Sequence, residues 1–266
     1  MAKNKDSITN IVVVALSLCL VAAIAVSSIA VGLKPTREAN KELDRAKNIL
    51  IAAGLFEQGK TANSEVDGLF ERFEIRLVDL TEGKMLTPSE AEAIGIDPVA
   101  YEQRKAAKDP ATSRGLDSSE DIASISRQAN FSVVYLLKSN NKIDRIVIPI
   151  HGYGLWSTLY GYLALDADMN TVAGITFYEH TETAGLGGEV DNPAWKSGWE
   201  GKEIFAANGD VALTVVKGAV DPNNRNAVHQ IDGLSGATLT SRGVQNLIEF
   251  WMGESGFGPI LKELKG

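Results

Sequence analysis

Residues 158–178 read TLYGYLALDADMNTVAGITFY. Residues 158–166 and 171–178 are short runs rich in β-branched and aromatic side chains, which favour strands. Between them, 167–170 supplies the Asp and Asn of a tight turn. A connection this short joins antiparallel neighbours, because parallel strands need a long crossover. Working outward, 144–150 (DRIVIPI) and 132–138 (SVVYLLK) read the same way, joined by a second hairpin turn at 139–142. Residues 73–80 (FEIRLVDL) and 212–217 (ALTVVK) add two more strands. Helical spacing of apolar residues appears before and after this set, at 36–54 and at 243–252 and 259–264. Thr36 and Gly54 stand where they would cap and end the first of these helices. Strands in runs with helices at the ends predict an α+β domain with antiparallel pairs. Shorter helical pieces are expected between 81 and 128, with a mobile polar loop over 108–121. No internal repeat is present.

The N-terminal part has a different composition. Ile11 to Leu33 is 23 residues without a charge, enough to cross a hydrocarbon core of roughly 30 Å. It reads as a retained anchor; a cleaved signal peptide is the alternative, although such apolar regions are usually shorter. Leu18 before the single cysteine, Cys19, argues against a lipoprotein. One cysteine also excludes an internal disulfide and any Cys-based zinc or iron–sulfur site. Lys and Arg are as dense after the span as before it, so charge does not fix orientation; a short basic tail favours a body outside the cytoplasm. The net charge is −8, of which residues 1–33 contribute +1. A body at −9 argues against nucleic acid as a partner.

Two glycine-rich stretches carry the candidate chemistry. The first is 232–243, DGLSGATLTSRG. One reading is local: Gly233 and Gly236 serve a turn, and Thr240 or Ser241 caps a helix starting near Arg242. The other is chemical: a helix N-terminus holds a phosphate, and a threonine hydroxyl there can be esterified to it. The second stretch is 180–190, HTETAGLGGEV, directly after a strand. It lacks the spacing of a dinucleotide fingerprint, and His180-x-Glu182 lacks the cysteines of a deaminase. It reads either as a plain strand-end loop or as a ligand loop using backbone amides and the Thr183 hydroxyl. Of the four tryptophans, Trp156 lies beside a glycine-rich turn and is the one expected nearest a ligand. Lys217 ends a strand, either pairing with phosphate or sitting at an edge. His151 and His229 read as loop histidines.

DGLSGAT resembles the D-x-x-[S/T]-G-A-T signature of proteins carrying covalent FMN, and ETAGLG resembles the companion E-T-x-G-L-G loop. The stretch 40–55, NKELDRAKNILIAAGL, is similar to the C subunit of the bacterial Na⁺-translocating NADH:quinone oxidoreductase. The three motifs stand in the right order, and the resemblance covers nearly the whole chain. It implies that Thr238 carries FMN through a phosphoester made by a flavin transferase from FAD, with release of AMP. Asp232, Ser235, Gly236 and Ala237 fall on the remaining positions of the signature. Glu182, Thr183, Leu186 and Gly187 fall on the flavin-lining loop, and Trp156 and Lys217 are placed near it. It further implies an electron relay within a six-subunit inner-membrane complex that oxidises NADH, reduces ubiquinone and exports Na⁺. This subunit itself is expected to bind neither NADH nor Na⁺. The implied organisation is a cytoplasmic tail (1–10), a transmembrane helix (11–33), a membrane-proximal helix (34–60) and a periplasmic FMN-binding domain (61–266). The G subunit of an Rnf-type ferredoxin:NAD complex is the nearest rival. A redox-inactive membrane-anchored binding module and a self-contained flavin enzyme are two further readings.

Overall fold

The computed structural model describes residues 7–57 and 59–265, so most of the expected N-terminal tail lies outside the described residues. The chain forms two units, Met1–Arg45 and Ala46–Gly266. The first contains helix α1 (Ile8–Gly32), capped by Ser7, whose hydroxyl accepts from the Asn10 amide at 3.2 Å. None of its side chains is buried, and among the described residues it is the one helix long and apolar enough to cross a membrane. Helix α2 (Lys34–Ala52) starts in this unit, and its part from Ala46 onward belongs to the second. It starts two residues earlier than expected, which places Thr36 inside it rather than at its cap. It also stops well short of residue 60. Gly54 takes φ +67°, the Leu55 amide reaches back to the Leu50 carbonyl, and the Gly54 amide to that of Ile51. This pattern ends a helix in a left-handed residue.

After the end of α2 the second unit continues with α3 (Val66–Phe70), β1 (Phe73–Asp79), β2 (Lys84–Met85), α4 (Pro88–Ala93) and α5 (Gln103–Ala106). Next come β3 (Ser113–Gly115), β4 (Arg127–Ala129), β5 (Phe131–Ser139), β6 (Lys142–Tyr153), β7 (Thr158–Asp166) and β8 (Val172–Glu179). The chain then runs through α6 (Pro193–Ser197), β9 (Thr214–Val215) and β10 (Gln230–Ile231) to α7 (Thr238–Met252) and α8 (Gly258–Lys265). The main sheet is six-stranded, in the order β2-β1-β5-β6-β7-β8, with every neighbour antiparallel. Both expected hairpins are present. Asn140 and Asn141 adopt positive φ in the first turn, as tight hairpins require, and Met169 does so in the second. The stretch 108–121 is not an open loop: β3 pairs with β4, and Arg114 bonds both Gln128 and Glu120. The 212–217 strand shrinks to β9, which pairs in parallel with β10.

One sheet face, carrying Ile146, Ile148, Ile150, Leu163, Leu165 and Ile175, packs with Val244, Leu247, Ile248 and Trp251 of α7 and Ile260 and Leu261 of α8. Burying this face is the main favourable term of the fold. On the opposite face, Thr176 bonds Asn48 of α2 at 3.3 Å, and a Cβ on Gly174 would come within 2.5 Å of the Ala52 carbonyl. A Cβ on Gly243 of α7 would collide with the Tyr153 carbonyl. That close approach fixes the start of α7 against the end of β6.

His151 is not a loop residue. The strand continues through the glycine-flanked HGY to Tyr153, with His151 opposite Tyr160 of β7. Its ring stacks on Tyr160, and the Trp251 indole donates to its carbonyl at 2.6 Å. Burial first, and the nearby Arg104 charge second, push the imidazole down to about 4. An unfolded histidine titrates near 6.5, so below that pH the unfolded chain takes up a proton that the folded chain refuses. Stability is therefore expected to fall as pH drops from about 6.5 to about 4, then to lose no more from this group. Denaturant midpoints across that window, compared between wild type and His151→Gln, measure the effect: the variant loses this part of the slope.

Candidate functional site

Three segments distant in sequence meet at the N-terminus of α7. The β6–β7 turn brings residues 153–157, the loop after β8 brings 180–191, and the glycine-rich 232–237 leads into α7. Glu182 joins them. Its Oε1 accepts from the backbone amides of Leu155 (3.1 Å), Trp156 (2.8 Å) and Ser157 (3.1 Å). Its Oε2 accepts from the Thr240 hydroxyl at 2.7 Å. Burial pushes this carboxyl upward, but the bonds from Trp156, Thr240, Leu155 and Ser157 outweigh it, and the group lies below the usual carboxylate range. Gly187 lies against the same pair: a Cβ there would come within 2.5 Å of Thr240 Oγ1 and 2.7 Å of Glu182 Oε2. Thr183 is exposed, and its carbonyl takes the amides of Leu186 and Gly188 to shape the loop.

Helix α7 starts at Thr238, not near Arg242. The hydroxyls read as caps have other partners: Thr240 is fully buried and donates to Glu182, while Ser241 accepts from the Leu234 amide at 2.9 Å. Ala237 stands at the cap position and has no side-chain oxygen to offer the first-turn amides. Gly236 takes φ +70°, and a Cβ on it would come within 2.9 Å of the Leu186 side chain. Thr238 itself is exposed, as is Ser235 in the preceding turn.

The remaining sequence candidates lie close by in the fold. Asp232 accepts from the Val220 amide at 2.7 Å, and its carbonyl takes the Trp195 indole N–H. Lys217 is exposed on the segment that runs beside Gly233, whose amide donates to the Gly218 carbonyl at 2.8 Å. Trp156 is 65% exposed, unlike the buried Trp199 and Trp251. Tyr153 and Leu239 are not singled out by the sequence, and Thr240 is read there only as a cap. A signal existed for Thr240: with Val244, Leu247 and Trp251 it follows the 3–4 spacing of the helix's inward face. Leu239 (53% exposed), Tyr153 (45%) and Leu186 (44%) join Trp156 as exposed apolar side chains on the three joined segments. Outside α1 and its flank, the other exposed large apolar side chains among the described residues are Ile94, Val99, Ile122 and Tyr178, none of them on these three segments.

An uncapped helix start with a free hydroxyl suits a phosphate, and the apolar rim suits an aromatic ring. Residues 154–253, which hold the three segments but for Tyr153, match the FMN-binding domain family, so the chain is a flavin-binding protein. Over 263 residues the chain is 51% identical to the C subunit of the Na(+)-translocating NADH-quinone reductase of Pseudomonas aeruginosa, with 98% of both chains covered. It is 46% identical to the corresponding C subunit of Vibrio parahaemolyticus, over 100% of this chain and 98% of that one. Among solved structures, the crystal structure of Shewanella oneidensis NqrC aligns with a TM-score of 0.73 at 36% identity, covering 85% of this chain and 99% of that one. The chain belongs to the NqrC family, the C subunits of the Na⁺-translocating NADH-quinone reductases.

Proposed function

We propose that this chain is the FMN-carrying electron-relay subunit of a Na⁺-translocating NADH:quinone oxidoreductase, with the flavin held through a phosphoester on Thr238. The observation that carries the attachment point is the fate of the four hydroxyls in 232–243. Thr240 and Ser241 are buried and engaged; Ser235 lies outside the helix; Thr238 is exposed at the first residue of an uncapped helix. The first-turn amides and the positive end of α7 would hold the phosphate, and Lys217, exposed on the segment beside Gly233, would add positive charge. Leu186, Leu239, Trp156 and Tyr153 offer apolar ground for the ring, and Gly236 leaves room for it. Asp232, Ser235 and Thr183 shape the turns around it. Glu182 and Gly187 act through the loop rather than by touching the flavin, since the Glu182 carboxylate is spent on protein partners. FMN, when bound, takes up and passes on electrons one or two at a time, so the chain needs no acid–base pair of its own.

In this reading a flavin transferase forms the bond. The Thr238 oxygen attaches to the FMN phosphorus of FAD, AMP leaves, and the hydroxyl proton is released. The assembled complex has six subunits in the bacterial inner membrane. Helix α1 is the anchor, and residues 61–266 lie on the periplasmic side. The relatives named above are C subunits of the Na⁺-translocating enzyme, which favours this complex over the Rnf type. The test is the mass of the tryptic peptides of protein purified from its native membrane and denatured. FMN mass on the peptide containing Thr238 is the expected result; an unmodified peptide would return 232–243 to a turn without cargo.

A further inference from the structure

His180 and Asp191 are absorbed by none of the roles above, yet they close the loop 180–191 at both ends. His180 Nδ1 lies 3.2 Å from the Glu182 backbone nitrogen, and Nε2 lies 2.8 Å from Asp191 Oδ2. A backbone N–H can only donate, so Nδ1 must be the acceptor and the ring proton sits on Nε2, where it donates to Asp191. One imidazole therefore fixes two things: the backbone of Glu182 and the far end of the loop. The Thr181 amide, between them, donates to Ser157 Oγ at 2.8 Å. The Glu182 side chain then collects the amides of 155–157 and the Thr240 hydroxyl. A continuous chain of directed bonds runs from Asp191 through His180 and Glu182 to the Trp156 turn and to α7.

We propose that His180 and Asp191 are positioning residues that set the surroundings of the flavin ring through Glu182, without touching the cofactor. This rests on the Thr238–FMN reading. Three of the rim residues, Tyr153, Trp156 and Leu186, sit on the segments this chain of bonds orders, and the fourth, Leu239, adjoins Thr240. Asp191 is half exposed and His180 is largely covered, so the clasp lies at the margin of the domain. A site whose supporting residues are loosened keeps its parts but loses its geometry.

The test uses the full-length protein, loaded with flavin in its native membrane, as wild type, His180→Ala, His180→Asn and Asp191→Ala. Asn retains an acceptor where Nδ1 stood but cannot reach Asp191. Asp191 is half exposed, so its truncation does not threaten folding. Peptide mass gives the loading at Thr238. The visible-region circular dichroism of the flavin, normalised to loading, and its midpoint potential report the surroundings of the ring. The expected result is a weakened dichroic band and a shifted potential in His180→Ala, with smaller changes in His180→Asn and Asp191→Ala. The thermal midpoint should stay near wild type at least for Asp191→Ala. Loaded variants whose band and potential match wild type would overturn the clasp, as would changes that merely track lost thermal stability. Wild-type protein lacking flavin would instead overturn the reading of the site itself.

Discussion

Thr238→Ala protein, expressed in its native membrane, is expected to carry no covalent flavin while its domain folds as before. The side chain is exposed at the helix start, away from the core. Because alanine propagates a helix better than threonine, stability should change by less than about 1 kcal/mol. The absence of in-gel flavin fluorescence after denaturation, together with an unchanged unfolding midpoint, checks both halves. Thr240→Ala separates position from chemistry. It lies two residues away with the same functional group, yet its hydroxyl is buried against Glu182. Its loss should leave flavin attached and reduce stability by roughly 1–3 kcal/mol, because a buried acceptor loses its partner. If Thr240→Ala rather than Thr238→Ala abolished attachment, the assignment would be reversed.

The second large effect is expected at Glu182. Glu182→Ala strips the acceptor from three backbone amides and one hydroxyl at once. Each group is left to find water or go unpaired, and the combined cost is on the order of 3 kcal/mol. Glu182→Gln keeps one oxygen for the amides and offers an NH₂ that the Thr240 hydroxyl can accept from, so most of that stability returns. Acid mimics the alanine change. The folded carboxyl titrates below its unfolded value, so its contribution is present above the unfolded value and is lost as pH falls through the folded one. Urea midpoints for the three proteins at neutral pH measure the difference. Equal midpoints for Glu182→Ala and wild type would show that the carboxylate holds nothing together.

The main sheet is legible in the sequence because its strands are short, dense in Val, Ile, Leu and Tyr, and separated by Asn- and Asp-bearing turns. The N-terminal helix is legible from its long uncharged apolar run, although it forms over Ile8–Gly32 rather than 11–33. What composition hides is short or non-local. The β3–β4 ladder lies in a polar stretch whose strands have three residues each. His151 reads as loop because it lies past the apolar run 144–150 and has no ligand-spaced partner, although cross-strand pairing carries β6 to Tyr153. The start of α7 is misplaced by local patterns because a hydroxyl near a helix start reads as a cap. Here the lateral demands of Glu182 and of the Leu234 amide take those hydroxyls instead. No local pattern reveals that Glu182 meets Thr240, since 58 residues separate them. The motif resemblance picks out Thr238 as the proposed attachment residue; the fold shows that the Thr240 and Ser241 hydroxyls are engaged elsewhere.

The Glu182 carboxylate is satisfied on both oxygens by groups of the chain itself, and this bears on the order of biogenesis. Leu155, Trp156, Ser157 and Thr240 supply partners to both oxygens from within the chain. Folding can finish first, presenting the modifying enzyme with a rigid, finished surface rather than a slack peptide. On the proposed attachment at Thr238, a misfolded copy is expected to misplace the acceptor hydroxyl and to carry less flavin.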